Sequence, residues 1–144
     1  MQHLAWLDAP YEDDRNRTRS RMARFTEQAR VGHQIHQLDM PPVEYGGYLL
    51  EYLMEVGPAT TSGFGPAVIS WQELQAWEHM TGVILTSWEA ITLRKLSGYY
   101  VAQYMKSQDP LCPPPYVPEN IPVEDVNAKA IRLFASMKKR KRAA

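Results

Sequence analysis

Apolar residues recur at intervals of three and four along three stretches near the middle of the chain. The first stretch runs from Tyr45 to about Val56, and the other two cover about residues 70–81 and 87–106. This period places the apolar side chains on one face of an α-helix and leaves the glutamates on its other faces. The pattern therefore predicts three core helices, which bury their apolar faces against one another in a small all-α domain.

Two of these helices carry the same start signal. Ser70 is followed three residues later by Glu73, and Thr86 is followed by Glu89 at the same spacing. In such a capping box the hydroxyl accepts from the third helical N–H, and the glutamate accepts from the N–H of the cap residue. Gly82 lies where a left-handed residue commonly ends a helix. Residues 70–106 are therefore predicted to form a helix, a short apolar connection and a longer helix.

The flanks divide the chain into further predicted segments. Residues 1–40 are grouped as an arginine-rich N-terminal helical segment. Its helix is predicted from the composition of residues 12 to about 38, whereas residues 1–11 show too little pattern for a prediction. The core domain covers residues 41–107, and prolines make residues 108–122 an extended, semi-rigid linker. Residues 123–144 are predicted to form an amphipathic helix up to about Lys138, followed by a basic tail. Docking of this helix on another protein and packing on its own domain both remain open.

Glycine and proline predict a loop over residues 57–69, between the first two core helices. The Gly63–Gly65 run within it is not interpreted as a phosphate-binding loop, because such a loop follows a strand and ends in a lysine. The preceding element is helical, and no lysine is available in this part of the chain.

The net charge of zero hides a segregated distribution. All 16 lysines and arginines lie outside residues 31–92, where several glutamates are found. Such segregation is typical of recognition by charge, although the basic flanks could equally fold back onto the acidic middle. The arginines at alternate positions from Arg15 to Arg21 suggest an RNA-binding segment. A solvated helix is favoured instead, because acidic residues are interleaved and no aromatic platform accompanies them.

No catalytic site, metal site or cofactor is predicted. His33 and His36 share a helical face, but no cysteine or carboxylate pair completes a metal site around them. Cys112 lies among prolines, without the basic neighbour or helix N-terminus that activates a thiol. No run reaches the roughly 18–20 apolar residues of a membrane span, and the acidic N-terminus does not have the pattern of a targeting peptide.

The two capped helices have the outline of a helix-turn-helix DNA-binding motif. The second helix would then read bases from its first turns. Those turns are acidic and apolar, with Trp88 and Glu89 ahead of the first basic residue, Arg94. Because an acidic surface is repelled by phosphates, nucleic acid is disfavoured as a partner.

The ordered series of tryptophan, glycine and capping residues resembles the small tail assembly chaperones of long-tailed bacteriophages. More narrowly, it is similar to the T region of the lambda-type pair, in which a programmed frameshift makes a longer product. The resemblance covers about residues 41–105, and the segments that carry it are Tyr48–Tyr52, Gly63–Pro66, Ile69–Trp77, Thr81–Val83, Leu85–Glu89 and Leu93–Tyr99.

The resemblance implies a non-enzymatic function in the host bacterial cytoplasm. Such chaperones bind the tape measure protein, recruit major tail tube subunits and are not found in the mature virion. Self-association remains open. The alternatives are a structural virion protein of the tail or head-tail connection, and a small helix-turn-helix regulator.

The candidate partner-binding residues are taken from the loop and the two capped helices. They are Phe64, Trp71, Glu73, Trp77, Glu78 and Trp88. At least two of the three tryptophans are expected to belong to the core instead, because large aromatic side chains are usually well buried. A salt-sensitive attraction to a basic partner is expected from the acidic middle of the chain.

Overall fold

The computed structural model describes residues 1–10, 19–63 and 65–119. The described part is predominantly helical, with about 55% of it in helices, and it contains five α-helices and a two-stranded sheet. In chain order the elements are α1 (Gln2–Asp8), α2 (Arg21–Arg30), a 3-10 turn (His36–Leu38), α3 (Gly47–Val56), β1 (Thr60–Ser62), β2 (Gly65–Ala67), α4 (Trp71–Thr81) and α5 (Ser87–Lys106).

The three predicted core helices are confirmed as α3, α4 and α5. Both capping boxes form: Ser70 caps α4 together with Glu73, and Thr86 caps α5 together with Glu89. Gly82 ends α4 in the left-handed region with a φ of 74°. These boundaries agree with the sequence because a cap is decided by residues a few positions apart.

The main core lies where the three helices meet. It contains buried leucines from each helix and one isoleucine from the segment before α4: Leu49, Leu53, Ile69, Leu74 and Leu93. The backbone of Ile69 is held on α5 from both sides. Its N–H donates to Ser97 Oγ at 3.1 Å, and its carbonyl accepts from Arg94 Nε at 3.0 Å. The segment entering α4 is therefore fixed on α5 by polar contacts as well as by burial.

The predicted loop over residues 57–69 contains a short antiparallel hairpin, so the purely all-α prediction is wrong in this detail. Thr60 pairs with Ala67 and Ser62 with Gly65. The β-branched threonines favour an extended backbone, and the φ of 122° at Gly65 suits a glycine. The candidate residue Phe64 lies outside the described residues. A two-stranded hairpin gives little periodic signal, which explains why it reads as a loop.

Over the described residues 19–38, the N-terminal segment is less helical than predicted. The helix α2 covers only Arg21–Arg30, and the chain then turns at Gly32, where φ is 89°. Residues 11–18, with Arg15 and Arg17, lie outside the described part. A positive φ is incompatible with continuing a helix, so the glycine ends the element that composition alone extends.

A helix at residues 2–8, for which the sequence carries too little pattern, packs along α5. Tyr100 donates its hydroxyl hydrogen to Asp8 Oδ2 at 2.8 Å. Burial raises the pKa of Asp8, and the Tyr100 hydrogen bond partly offsets that effect. Trp6 and Leu7 are buried beside Cys112 in a second core, which Met22, Phe25 and Leu38 cover. Trp6, which is the tryptophan outside the predicted partner-binding set, is therefore a core residue.

Arg21 is buried, with an exposed fraction of 1%, and belongs to neither an RNA-binding segment nor a solvated face. Its guanidinium donates to the carbonyls of Trp6 at 3.2 Å, Ser107 at 2.7 Å and Asp109 at 3.1 Å. It also lies 5.1 Å from the centre of the Trp6 ring. Helix C-termini present unpaired carbonyls and partial negative charge. The Arg21 guanidinium therefore donates hydrogen bonds to carbonyls at the C-terminal ends of both α1 and α5.

The beginning of the proline-rich segment packs on the folded part of the chain instead of extending away from it. Trp6 Nε1 donates to the Cys112 carbonyl at 2.9 Å, and Tyr116 meets the His3 ring edge-on at 5.7 Å. The predicted C-terminal helix from Val123 and the basic tail lie outside the described residues. Over the described ranges, every helix is too short or too polar to cross a membrane.

Candidate partner-binding surface

The carboxylates of Glu73, Glu78 and Glu89 are engaged with backbone N–H groups at the helix ends. Glu73 accepts from the Ser70 N–H at 2.6 Å, and Glu89 accepts from the Thr86 N–H at 2.7 Å. Glu78 accepts from the Leu85 N–H at 2.7 Å across the connection between α4 and α5. Two of these three, Glu73 and Glu78, are predicted partner contacts. The structure gives each a local role, Glu73 at the start of α4 and Glu78 in the connection from α4 to α5.

The same hydrogen bonds make two of these groups stronger acids. The pKa of Glu73 is lowered, first by the Ser70 backbone N–H and then by the Thr60 hydroxyl. The pKa of Glu89 is lowered by the hydroxyl and backbone N–H of Thr86, with a smaller effect from Tyr48. Both carboxylates therefore stay ionised well below neutral pH and keep the start of each helix negative.

An aromatic row links α3 to the two capped helices. Tyr48 and Tyr52 meet edge-on with ring centroids 5.6 Å apart, and Tyr52 lies 5.0 Å from Trp77. At the other end of the row, Tyr48 donates to Glu89 Oε1 at 2.9 Å. Trp77 is partly buried here, because the aromatic packing covers one face of it. This row holds α3 against the beginning of α5 and the second half of α4.

Trp71 and Trp88 are exposed, with exposed fractions of 50% and 64%, so the expectation that at least two of the three tryptophans are core residues is wrong. Trp88 precedes the buried Leu93 by five residues, which places it about 140° away around the helix. Trp71, in the first turn of α4, lies against the Arg94 guanidinium, 4.4 Å from the ring centre to Cζ. Both positions are fixed by which helix face meets α3, and the sequence does not specify that face.

Three large apolar side chains are exposed along the connection from α4 to α5 and at its two ends. Met80 and Ile84 have exposed fractions of 87% and 90%, and Trp88 follows them in the first turn of α5. We call these three residues the α4–α5 corner. Where exposed apolar side chains form one continuous patch, that patch is typical of a surface that binds another protein. Met80 and Ile84 are absent from the predicted set, although an isoleucine in a short connection was a usable signal.

Among the described residues, the members of the predicted set lie at several places on α4 and α5. Trp71 and Glu73 lie at the start of α4 and Trp77 and Glu78 in its second half, whereas Trp88 lies on α5. Trp71 faces Arg94, and Trp77 faces Tyr52. The structure thus places Trp71 beside the basic residues of α5, Trp77 beside the aromatic row and Trp88 in the α4–α5 corner.

The histidines give no sign of metal chemistry in the described ranges. His3 is buried, and its Nε2 lies 2.9 Å from the Gln37 carbonyl oxygen. His36 Nδ1 lies 3.6 Å from Asp39 Oδ2, and His79 is exposed on α4. Over residues 1–10, 19–63 and 65–119, no three histidine, cysteine or carboxylate side chains come close enough together to hold an ion.

Comparisons with known proteins add no relative. The chain matches no family model, no curated protein and no solved structure.

Proposed function

We propose that this chain is a non-enzymatic tail assembly chaperone of a long-tailed bacteriophage. In this proposal it binds the tape measure protein and the major tail tube protein in the host bacterial cytoplasm and leaves before the virion matures. The resemblance over about residues 41–105 supports the proposal, and these residues correspond to the segment with α3, the hairpin, α4 and α5.

The observation that carries the proposal is the exposed α4–α5 corner. Met80, Ile84 and Trp88 place apolar side chains in water beside a connection that is otherwise well ordered by hydrogen bonds. Burying such side chains against a partner yields roughly 25 cal/mol for each Å² of apolar surface removed from water. The Glu78 and Glu89 bonds hold the connection in shape before binding, so little entropy is lost there when a partner docks.

The charge of residues 31–92 supports a basic partner surface. Glu51 and Glu55 are exposed on α3, and the chain has no lysine or arginine from residue 31 to residue 92. Exposed charges of one sign raise the association rate with an oppositely charged partner and make that rate sensitive to salt. We therefore expect binding to weaken when salt is raised from about 0.05 M to about 0.5 M.

The experiment uses the full chain as bait for the separately purified tape measure and tube proteins encoded beside it, with mass spectrometry of purified particles in parallel. Trp88→Ala and Ile84→Ser should each weaken capture by roughly tenfold or more, as expected for apolar residues at the centre of an interface. Leu111→Ser is the matched control for Ile84→Ser, because Leu111 is about as exposed as Ile84 but lies beyond α5.

Three results would contradict the proposal. Stoichiometric presence of the chain in the mature particle would make it a structural tail protein. Retention of DNA that is lost on deleting residues 138–142 would make it a regulator. Capture that Trp88→Ala, Ile84→Ser and Leu111→Ser affect equally would remove the corner from the interface.

A further inference from the structure

A second surface has the opposite charge character from the α4–α5 corner. It is an open depression of about 260 Å³ between the start of α4 and the outer face of α5, lined by Val68, Trp71, Ile91, Arg94, Lys95 and Gly98. Pockets that enclose drug-sized ligands measure roughly 300–1,000 Å³. A depression of this size and openness suits one or two side chains of a larger molecule.

Arg94 is held in place before any ligand arrives. Its Nε donates to the Ile69 carbonyl at 3.0 Å, and its guanidinium lies over the Trp71 ring at 4.4 Å. Because Nε and one face are occupied, an incoming acceptor can bind only through the two terminal nitrogen atoms. An arginine fixed in this way loses little rotamer entropy on binding, and its planar fork matches a carboxylate.

The positive charge of this surface is not neutralised within the described part of the chain. Arg94 and Lys95 have no carboxylate within 4 Å there, and the ion pairs found join Arg19 to Glu27 and His36 to Asp39. These are also the first two basic residues after the long stretch that has none. Two adjacent cations beside an exposed tryptophan attract an anionic group that also carries apolar surface.

Gly98 opens the floor of the depression. A Cβ at this position would meet only Val68 Cγ2, at the ordinary contact distance of 3.9 Å. Packing therefore does not require glycine here, although glycine costs a helix interior roughly 1 kcal/mol relative to alanine. The missing side chain leaves room for an apolar group between Trp71 and Ile91.

We propose that this depression binds an acidic segment of a protein partner, in which a carboxylate lies next to a leucine-sized side chain. The apolar side chain lies over Gly98 between Trp71 and Ile91, and the carboxylate pairs with Arg94, assisted by Lys95. A nucleic acid fits less well, because two cations in an otherwise apolar lining offer too few contacts for a run of phosphates. This inference stands independently of the proposed function, because it uses other residues and a partner of opposite charge.

The test follows the Trp71 indole N–H and the Arg94 Nε–H of the ¹⁵N-labelled full chain by nuclear magnetic resonance. The probe is an N-acetylated, C-amidated peptide of alternating glutamate and leucine, compared with one peptide that has serine for leucine and another that has lysine for glutamate. The glutamate–leucine peptide should shift both signals in a saturable way, and the other two should shift them at least about tenfold more weakly.

Variants separate binding from folding. Arg94→Gln removes the charge, and Gly98→Leu fills the floor while Arg94 and Lys95 stay in place. Each substitution should weaken binding of the glutamate–leucine peptide by about tenfold or more. Ala102→Leu, one turn further along the exposed side of α5 and outside the lining, should leave binding unchanged. Should Arg94→Gln fail to fold, Lys95→Gln on the exposed neighbour tests the charge and should also weaken binding.

Several results would overturn the proposal. These are no shift at millimolar peptide, equal shifts with the lysine peptide, or equal loss of binding in the Gly98→Leu and Ala102→Leu variants. Stronger shifts with a single-stranded oligothymidine would assign the depression to nucleic acid. Shifts of the same signals on concentrating the chain alone would assign it to a second copy. None of these results bears on capture of partners by the α4–α5 corner, so the two proposals can fail separately.

Discussion

The guanidinium of Arg21 donates to the carbonyl oxygen of Ser107 at 2.7 Å, joining positions that are 86 residues apart. Ser107 is the C-cap residue directly after α5, and the same guanidinium also donates to the carbonyls of Trp6 and Asp109. The contact therefore ties the N-terminal segment and the start of the proline-rich segment to the end of the longest helix. A residue from an arginine-rich stretch thus has a structural role in the second core.

Replacing Arg21 should destabilise the fold strongly. Arg21→Gln leaves three carbonyls without their charged donor in a buried place, and we expect the free energy of unfolding to fall by about 2–4 kcal/mol. Arg30→Gln is the matched control, because Arg30 is exposed at the end of α2. It should cost about 0.5 kcal/mol or less. Urea denaturation followed by circular dichroism measures both, and equal losses would show that Arg21 is not structural.

Two glycines should respond to alanine with opposite signs. Gly82 has a φ of 74° at the end of α4, so Gly82→Ala should lower the free energy of unfolding by about 1 kcal/mol. Gly98 is inside α5 with only an ordinary contact near its missing Cβ, so Gly98→Ala should raise it by about 0.5–1 kcal/mol. Thermal unfolding of both variants checks this. A stabilised Gly82→Ala variant would mean that α4 does not end in the left-handed conformation.

The ionised carboxylate of Glu73 should stabilise the fold near neutral pH, and this contribution should be lost in acid. The folded-state pKa of Glu73 is lowered from its ordinary value of 4.5, chiefly by the Ser70 backbone N–H. Its contribution is therefore complete above pH 4.5 and is lost as the pH falls through the folded-state pKa. Glu73→Gln keeps a side-chain acceptor but removes this dependence. Urea unfolding midpoints are measured from neutral pH down to below the folded-state pKa. The midpoint of the wild type should exceed that of Glu73→Gln near neutral pH, and the difference between the two should shrink in acid.

A gap that stays constant with pH would contradict this account of Glu73. Glu51→Gln serves as the control, because Glu51 is exposed on α3 and does not cap a helix. Its difference from the wild type should change little over the same range.

The local elements of the helical core could be predicted from nearby residues in the chain. Ser70 with Glu73 and Thr86 with Glu89 specify where α4 and α5 begin, and Gly82 specifies where α4 ends. The same holds for the apolar face of α3, where Leu49 and Leu53 enter the core. These features were predictable because they depend on residues within one or two turns of each other, where backbone geometry leaves few alternatives.

Which aromatic and basic residues are buried became evident only from the packing of the folded chain. Trp6 lies in a core and Trp88 in water, and Arg21 is buried whereas Arg94 borders a depression. Periodicity gives the faces of each helix, but it does not say which faces meet or where a distant segment returns. Those choices depend on contacts between residues far apart in the chain, such as Trp6 with Cys112 and Arg21 with Ser107. Such contacts are favourable only once the whole fold has brought the groups together and the entropy of ordering the chain has been offset.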